Sequence, residues 1–213
     1  MIKLLFVLLQ SCNLSYLAMK KIALVFVLSF SIFACVHDRD IADITNPNNP
    51  NNPINPNNPI VNEIKIGDIV INEFVVSGSQ NQNEFGFKED WIEIYNTTQR
   101  EIKMEAGKWY ITDAAGSNNK KYQLPEIVLN AKEFLVIWCN GRDTVLTQIH
   151  TSFSLSSNGE DLGLYFDTGE ELLEIDAKTY GNTIPSGQSM GRSPDGANNW
   201  TIFATPTPGN PNI

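Results

Sequence analysis

The heptapeptide Asp90-Trp91-Ile92-Glu93-Ile94-Tyr95-Asn96 constrains the fold more than any other stretch. Its alternation is that of a β-strand, with Trp91, Glu93 and Tyr95 on one face and Ile92 and Ile94 on the other. Both faces carry bulk. A strand with one wet face would not, so the pattern predicts a strand inside a two-layer β structure. Asn96 and the two threonines after it form a turn signal that stops the strand.

Similar runs recur along the chain. Gly67 to Val76 reads as the first strand, and Trp109–Asp113 as a short one. Lys121–Pro125 follows, then Glu133–Cys139, a strongly apolar strand expected to be buried on both faces before the Asn140-Gly141 turn. Asp161–Phe166, the hairpin turn Asp167-Thr168-Gly169 and Leu172–Asp176 come next. Trp200–Phe203 closes the set. Short strands separated by turn residues, with no helical periodicity, predict an all-β sandwich over residues 63–213. A domain of about 150 residues buries roughly two-thirds of its unfolded surface and needs no covalent staple.

None is available in any case. Of Cys12, Cys35 and Cys139 only the last falls in the folded part, so no disulfide framework exists there. Cys139 sits in an apolar run and reads as a small buried hydrophobe rather than a nucleophile. The formal charge is −9; Lys3, Lys20 and Lys21 are the only charged residues of positions 1–35, so the remainder carries −12. That sign argues against general nucleic-acid binding.

The N-terminal 35 residues read as an address. Met19-Lys20-Lys21 precedes an apolar run, Ile22 to Phe33, and then Ala34-Cys35. Ile32-Phe33-Ala34-Cys35 resembles a bacterial lipobox, in which the cysteine becomes the lipidated first residue; Cys35 is the expected attachment point. An ordinary signal peptide and an uncleaved anchor are the alternatives. Met1–Ala18 is a second apolar stretch ahead of a complete signal, which places the expected translation start at Met19. Residues 36–62 form a linker in which Asn46–Pro59 carries a proline every third residue or so. That spacing forbids helix and gives an extended spacer. The expected location is the cell envelope, lipid-anchored after export across the inner membrane. The short acidic stretch Asp38-Arg39-Asp40 points to the outer membrane.

An ordered set of motifs then resembles the lamin tail domain, a family of immunoglobulin-like β-sandwiches found at the end of nuclear lamins and in secreted bacterial proteins. The set includes Ile71-Asn72-Glu73-Phe74, Asp90–Asn96, Gly107–Asp113, Phe153-Ser154-Leu155, Gly159–Tyr165, Asp167-Thr168-Gly169, Ser189–Gly196 and Thr207–Asn212. It spans about residues 64–212. The chain departs from the bacterial pattern at Asn130-Ala131, where Pro-Gly is usual. The lamin rod has no counterpart, so filament assembly and a nuclear location are not implied. The motif residues read as structural. Asn72 and Asn96 are expected to bond turn backbones, and Trp91 and Trp109 to fill the core. Arg192 is expected to pair with Asp195 or Glu93 and so fix the C-terminal segment.

Motifs that carry chemistry are not present. The chain lacks a phosphate loop, a paired-cysteine motif and a nucleophile elbow, and no cofactor is expected. His150, beside Ser152, reads as a surface or edge histidine. Asp161, Asp167, Glu170, Glu171 and Asp176 lack an EF-hand spacing and read as a solvated acidic face. The polar loop Ser77–Glu89, with Phe85 and Phe87, is the expected binding surface unless those rings fold back on the core. The partner is expected to be an envelope protein or polysaccharide, with an accessory role beside a separate secreted nuclease or phosphatase as the alternative.

Overall fold

A computed structural model describes residues 63–212. The leader, Cys35 and the Asn/Pro linker lie outside the described residues. Thirteen strands follow in order: β1 (Ile69–Val75), β2 (Asp90–Asn96), β3 (Ile102–Met104), β4 (Trp109–Thr112), β5 (Tyr122–Gln123), β6 (Ile127–Leu129), β7 (Phe134–Cys139), β8 (Thr144–Val145), β9 (Ile149–His150), β10 (Gly159–Asp167), β11 (Leu172–Gly181), β12 (Ser189–Arg192) and β13 (Trp200–Phe203). Among the described residues there is no helix. The short ribbons β3, β6 and β8 had no legible alternation, being only two or three residues each.

A seven-stranded sheet has the order β13-β12-β1-β2-β7-β9-β8, and a four-stranded sheet the order β11-β10-β4-β5. The two-stranded ribbon β3–β6 adds Ile102, Met104 and Leu129 to the core between them. This is an all-β, immunoglobulin-like sandwich. Ile69, Ile71, Phe74, Ile92, Ile94 and Ile137 point inward from the large sheet, and Trp109, Ile111, Leu162, Leu164 and Ile175 from the small one. Cys139 is buried in the same core, where burial holds its thiol far above the ordinary range and therefore protonated and inert.

The split of β2 follows the alternation in the sequence. Ile92 and Ile94 enter the main core, whereas Trp91 does not. Trp91 is fully buried on the other face of the large sheet, in a small cluster with Val75 and Trp138. Only Trp109 of the two expected core tryptophans lies between the sheets. β7 is likewise buried on both faces only from Ile137 to Cys139. Phe134, Leu135 and Val136 are half-buried: Leu135 packs at the margin of the core, and on the outer face Phe134 stacks on Tyr95 at 4.6 Å.

β1 contains a bulge at Asn72, between the pairs Ile71↔Ile94 and Glu73↔Glu93. The extra residue leaves the Ile71 peptide groups without ladder partners on one side. Two charged side chains take them. Ile71 N–H donates to Asp176 Oδ2 of β11 at 2.8 Å, and Arg192 Nε of β12 donates to the Ile71 carbonyl at 2.8 Å. Arg192 Nη2 then bonds both Asp176 oxygens, at 2.9 and 2.8 Å. The expected pairing of Arg192 with Asp195 or Glu93 is therefore incorrect. Arg192 sits on the inward face of β12 beside Met190, whereas Glu93 and Asp195 lie on the outward side. Its partner is an aspartate from the opposite sheet, and no local spacing announced it. Trp200 covers the guanidinium at 4.6 Å.

Arg192 and Asp176 thus tie the two sheets together at the bulge. Removing one member strands a buried charge. Arg192→Ala is expected to lower unfolding stability by about 3 kcal/mol in a urea titration. A loss below about 1 kcal/mol would show that the pair is a bystander.

Candidate functional site

The loop between β1 and β2 is held in one shape by Asn83. Its Oδ1 accepts from the backbone N–H groups of Phe85 (3.0 Å) and Phe87 (3.1 Å), and its Nδ2 donates to Glu89. Gly86, at φ 79°, makes the reversal that a side chain would strain. The loop also reaches across the end of the large sheet. On one side Gln80 Nε2 donates to the carbonyls of Gly187 and Ala204. On the other, Glu84 accepts from Thr147 N–H at 3.1 Å, and Gln148 Oε1 accepts from Glu84 N–H at 2.8 Å. A loop tied at both sides is a scaffolded surface rather than a free tether.

Phe85 and Phe87 face solvent, 42% and 52% exposed. Neither joins the hydrophobic core, although Phe85 packs against the buried His150 ring at 5.1 Å. The Arg142 guanidinium lies between them, 5.1 Å from one ring and 5.0 Å from the other, and bonds Glu89 at 3.2 Å. Val145 and Leu146, 49% and 64% exposed, belong to the β8 segment that Glu84 holds through Thr147. Aromatic rings, an arginine and two aliphatic side chains thus gather on one rim. Arg142 and the β8 pair were not anticipated; the Asn140-Gly141 turn was visible, but nothing local said which loop it would meet.

Beneath this rim lies His150, which is fully buried, contrary to the expectation of a surface or edge residue. β8 pairs outside β9 and takes the edge position. Asn140 Nδ2 donates to His150 Nδ1 (2.8 Å) and to Glu89 (2.6 Å), while Asn140 Oδ1 accepts from Arg142 N–H. That fixes His150 Nδ1 as an acceptor, so Nε2 carries the hydrogen and donates to Glu84 Oε1 at 3.2 Å. Both ring nitrogens are occupied by side chains that position the loop. Ser152 is not among their partners. The acids considered for calcium are likewise dispersed. Asp161 accepts from Thr179, Asp167 pairs with Lys120, and Asp176 with Arg192. Among the described residues no group of three or more His, Cys, Asp or Glu is placed to hold a metal ion.

Of the remaining motif residues, Asn96 ends β2 on the inward side, whereas Asn72, Glu93 and Asp195 converge on the outer face of the large sheet. Asn96 Nδ2 donates to the carbonyls of Arg100, Leu129 and Asn130, so it bonds turn backbone as expected. Asn72 does so only in part. Its Oδ1 accepts from Gly196 N–H, but its Nδ2 donates to Glu93 Oε1 (3.1 Å) and Asp195 Oδ1 (3.0 Å). Glu73 and Glu93 stand directly opposite each other in β1 and β2, and both are completely buried. Burial pushes Glu93 up to about 8 and raises Glu73 as well.

A family model for the lamin tail domain matches residues 62–182. The chain belongs to the lamin tail domain family. No curated protein matches it significantly. Lamin tail domains are non-catalytic immunoglobulin-like domains, in agreement with the sandwich seen here. The matched span of this lamin tail domain includes the Phe85/Phe87 loop, the opposed glutamates and Asp176. Arg192, Asp195 and the C-terminal segment lie beyond it, yet they complete the hydrogen bonding of β1.

The buried carboxyls set a sign for pH dependence. Glu93 titrates near 4.5 when unfolded and about 8 when folded. Asp90, raised by burial and then by the Glu160 and Glu89 charges, moves from 3.8 to about 6. The folded state therefore holds more protons across these windows, and stability present at low pH is lost as pH rises through them. Urea midpoints are expected to fall between pH 5 and pH 9. The Glu93→Gln variant should flatten the part above pH 6.5; a wild-type midpoint that rose over that range would contradict the assignment.

Proposed function

We propose that this chain is a non-catalytic envelope lipoprotein whose lamin tail domain binds a protein or polysaccharide through the rim formed by Phe85, Phe87 and Arg142. The observation that carries the reading is the exposure of two aromatic rings on a loop fixed at both sides, with a guanidinium between them. Aromatic rings held in water on a rigid loop lower the entropic cost of association, and phenylalanine with arginine matches the composition enriched at protein interfaces. The engagement of both His150 nitrogens by Asn140 and Glu84 supports a positioning role for that residue over an acid–base one. The excess of negative charge favours neither DNA nor RNA as the ligand.

In this reading Cys35 carries the lipid and the Asn/Pro segment holds the domain off the membrane surface, at the outer membrane after export. Two experiments test the two halves of the proposal. Labelled palmitate should enter the wild-type protein and not Cys35→Ser, which should move to the soluble fraction. Equal labelling of both would remove the lipid anchor. Crosslinking in intact cells and glycan-array binding should each be compared with a Phe85→Ala/Phe87→Ala double variant. We expect one of the two signals to drop at least tenfold with the melting temperature unchanged, which also tells protein from polysaccharide. Undiminished binding by the folded double variant would move the site elsewhere.

A further inference from the structure

The C-terminal segment Thr205-Pro206-Thr207-Pro208-Gly209-Asn210-Pro211-Asn212 lies over the outer face of β1 and β2 without joining the sheet. Three prolines remove donors from it. Asn210 N–H closes a turn on the Thr207 carbonyl. The backbone N–H groups of Thr207, Gly209 and Asn212 all end on carboxylates. Thr207 donates to Glu73 (3.1 and 3.2 Å), Gly209 to Glu93 Oε2 (2.6 Å) and Asn212 to Asp195 Oδ1 (3.0 Å). Asn212 Nδ2 adds bonds to the carbonyls of Arg192 (2.8 Å) and Asn72 (3.4 Å). Gly191 allows the close approach: a Cβ there would lie 2.8 Å from Asn212 Nδ2 and 3.1 Å from Glu73 Cγ.

The segment is therefore fastened to acids rather than to a β-ladder, and among the described residues the acids Glu73, Glu93 and Asp195 have no counter-cation. On β1 the titratable group on this face is Glu73; on β2 they are Glu93 and Tyr95. β7 contributes Val136 and Trp138, which do not titrate, and β12 with its following turn contributes Asp195. Arg192, the nearest cation in sequence, points to Asp176, the Ile71 carbonyl and the Ala197 carbonyl. Lys132 lies over the Tyr95 ring at 5.9 Å. The segment itself carries no charge. Two facing carboxylates with no cation between them do not both ionise readily when buried. Glu73 receives hydrogen bonds from Ser189 and from Thr207, whereas Glu93 has only Asn72 and Gly209. Glu93, the less well served, is the member that keeps a proton.

We propose that Glu73 and Glu93 form a one-proton latch for the C-terminal segment: it is held while Glu93 keeps its proton opposite the ionised Glu73, and it lifts when alkaline pH removes that proton. A second charge at Glu93 can be hydrated only if the cover moves, because both side chains are completely enclosed by it. Lifting bares the Asn72–Glu73–Glu93 strip of the sheet as a second, polar surface distinct from the Phe85/Phe87 rim.

Hydrogen exchange of the full chain, read by mass spectrometry on peptides covering 204–213 and corrected for intrinsic rates, tests the latch. Protection of this segment should fall at least tenfold between pH 6.5 and pH 9 while β10–β11 peptides hold theirs. The Glu93→Gln variant keeps the acceptor oxygen and cannot ionise, so its protection should stay flat. A flat wild-type profile, or an equal fall in Glu93→Gln, would overturn the proposal. Should the variant not fold, carboxyl carbon-13 spectra of the wild type decide it. One glutamate must titrate well above the ordinary carboxylate range, and titration of every glutamate below pH 6 would sink the latch.

Discussion

The bulge at Asn72 is the constraint on which most of this sandwich depends. One extra residue in β1 shifts the alternation, so that Ile69 and Ile71 face the core before it and Phe74 after it. The same shift leaves the Ile71 peptide groups to be claimed by Asp176 and Arg192, which join the sheets from inside. It also turns Asn72 and Glu73 outward together. There they meet Glu93 and Asp195 and, through them, the C-terminal segment. Inner clamp and outer cover are thus two consequences of one irregularity. A buried unpaired peptide group would cost a few kcal/mol, so the polar partners are obligatory once the bulge exists.

The two faces of the large sheet are used differently. The inner face is mostly hydrocarbon, with the Arg192–Asp176 pair at the bulge and the half-buried Asp90 at the start of β2. The outer face mixes a small tryptophan cluster with buried carboxyls, and it is shielded by loop and tail rather than by a second sheet. Cover of that kind is held by few contacts and opens more easily than a core strand. The loop of Phe85 and Phe87 is an exception, because Asn83, Gln80 and Glu84 bind it to both sides of the sheet. Its aromatic rings are presented by a rigid mount.

Much of this was legible in the residues. The alternation of Asp90–Asn96 gave the correct two-faced strand, and the ordered motifs pointed to the lamin tail domain family that the match over residues 62–182 establishes. Phe85 and Phe87 stood out as a polar loop's only large apolar groups. The pair Asn72-Glu73 interrupts the alternation between Ile71 and Phe74, which is a bulge signal that could have been read. Arg142, Asn140 and Glu84 had no such mark, since each acquires its role from a segment far away in the chain.

Local pattern is decided by the period of the backbone, and so the sequence alone determined which stretches are strands, which of their faces are apolar and where turns stop them. Pairing between distant polar groups has no period. That Arg192 would find Asp176 and not Asp195, that His150 would be sealed beneath a loop, and that Glu73 would face Glu93 under a proline-rich tail were decided only by tertiary structure. Burial removes water as the alternative partner, and each polar group must then bond whatever the packed chain places within reach.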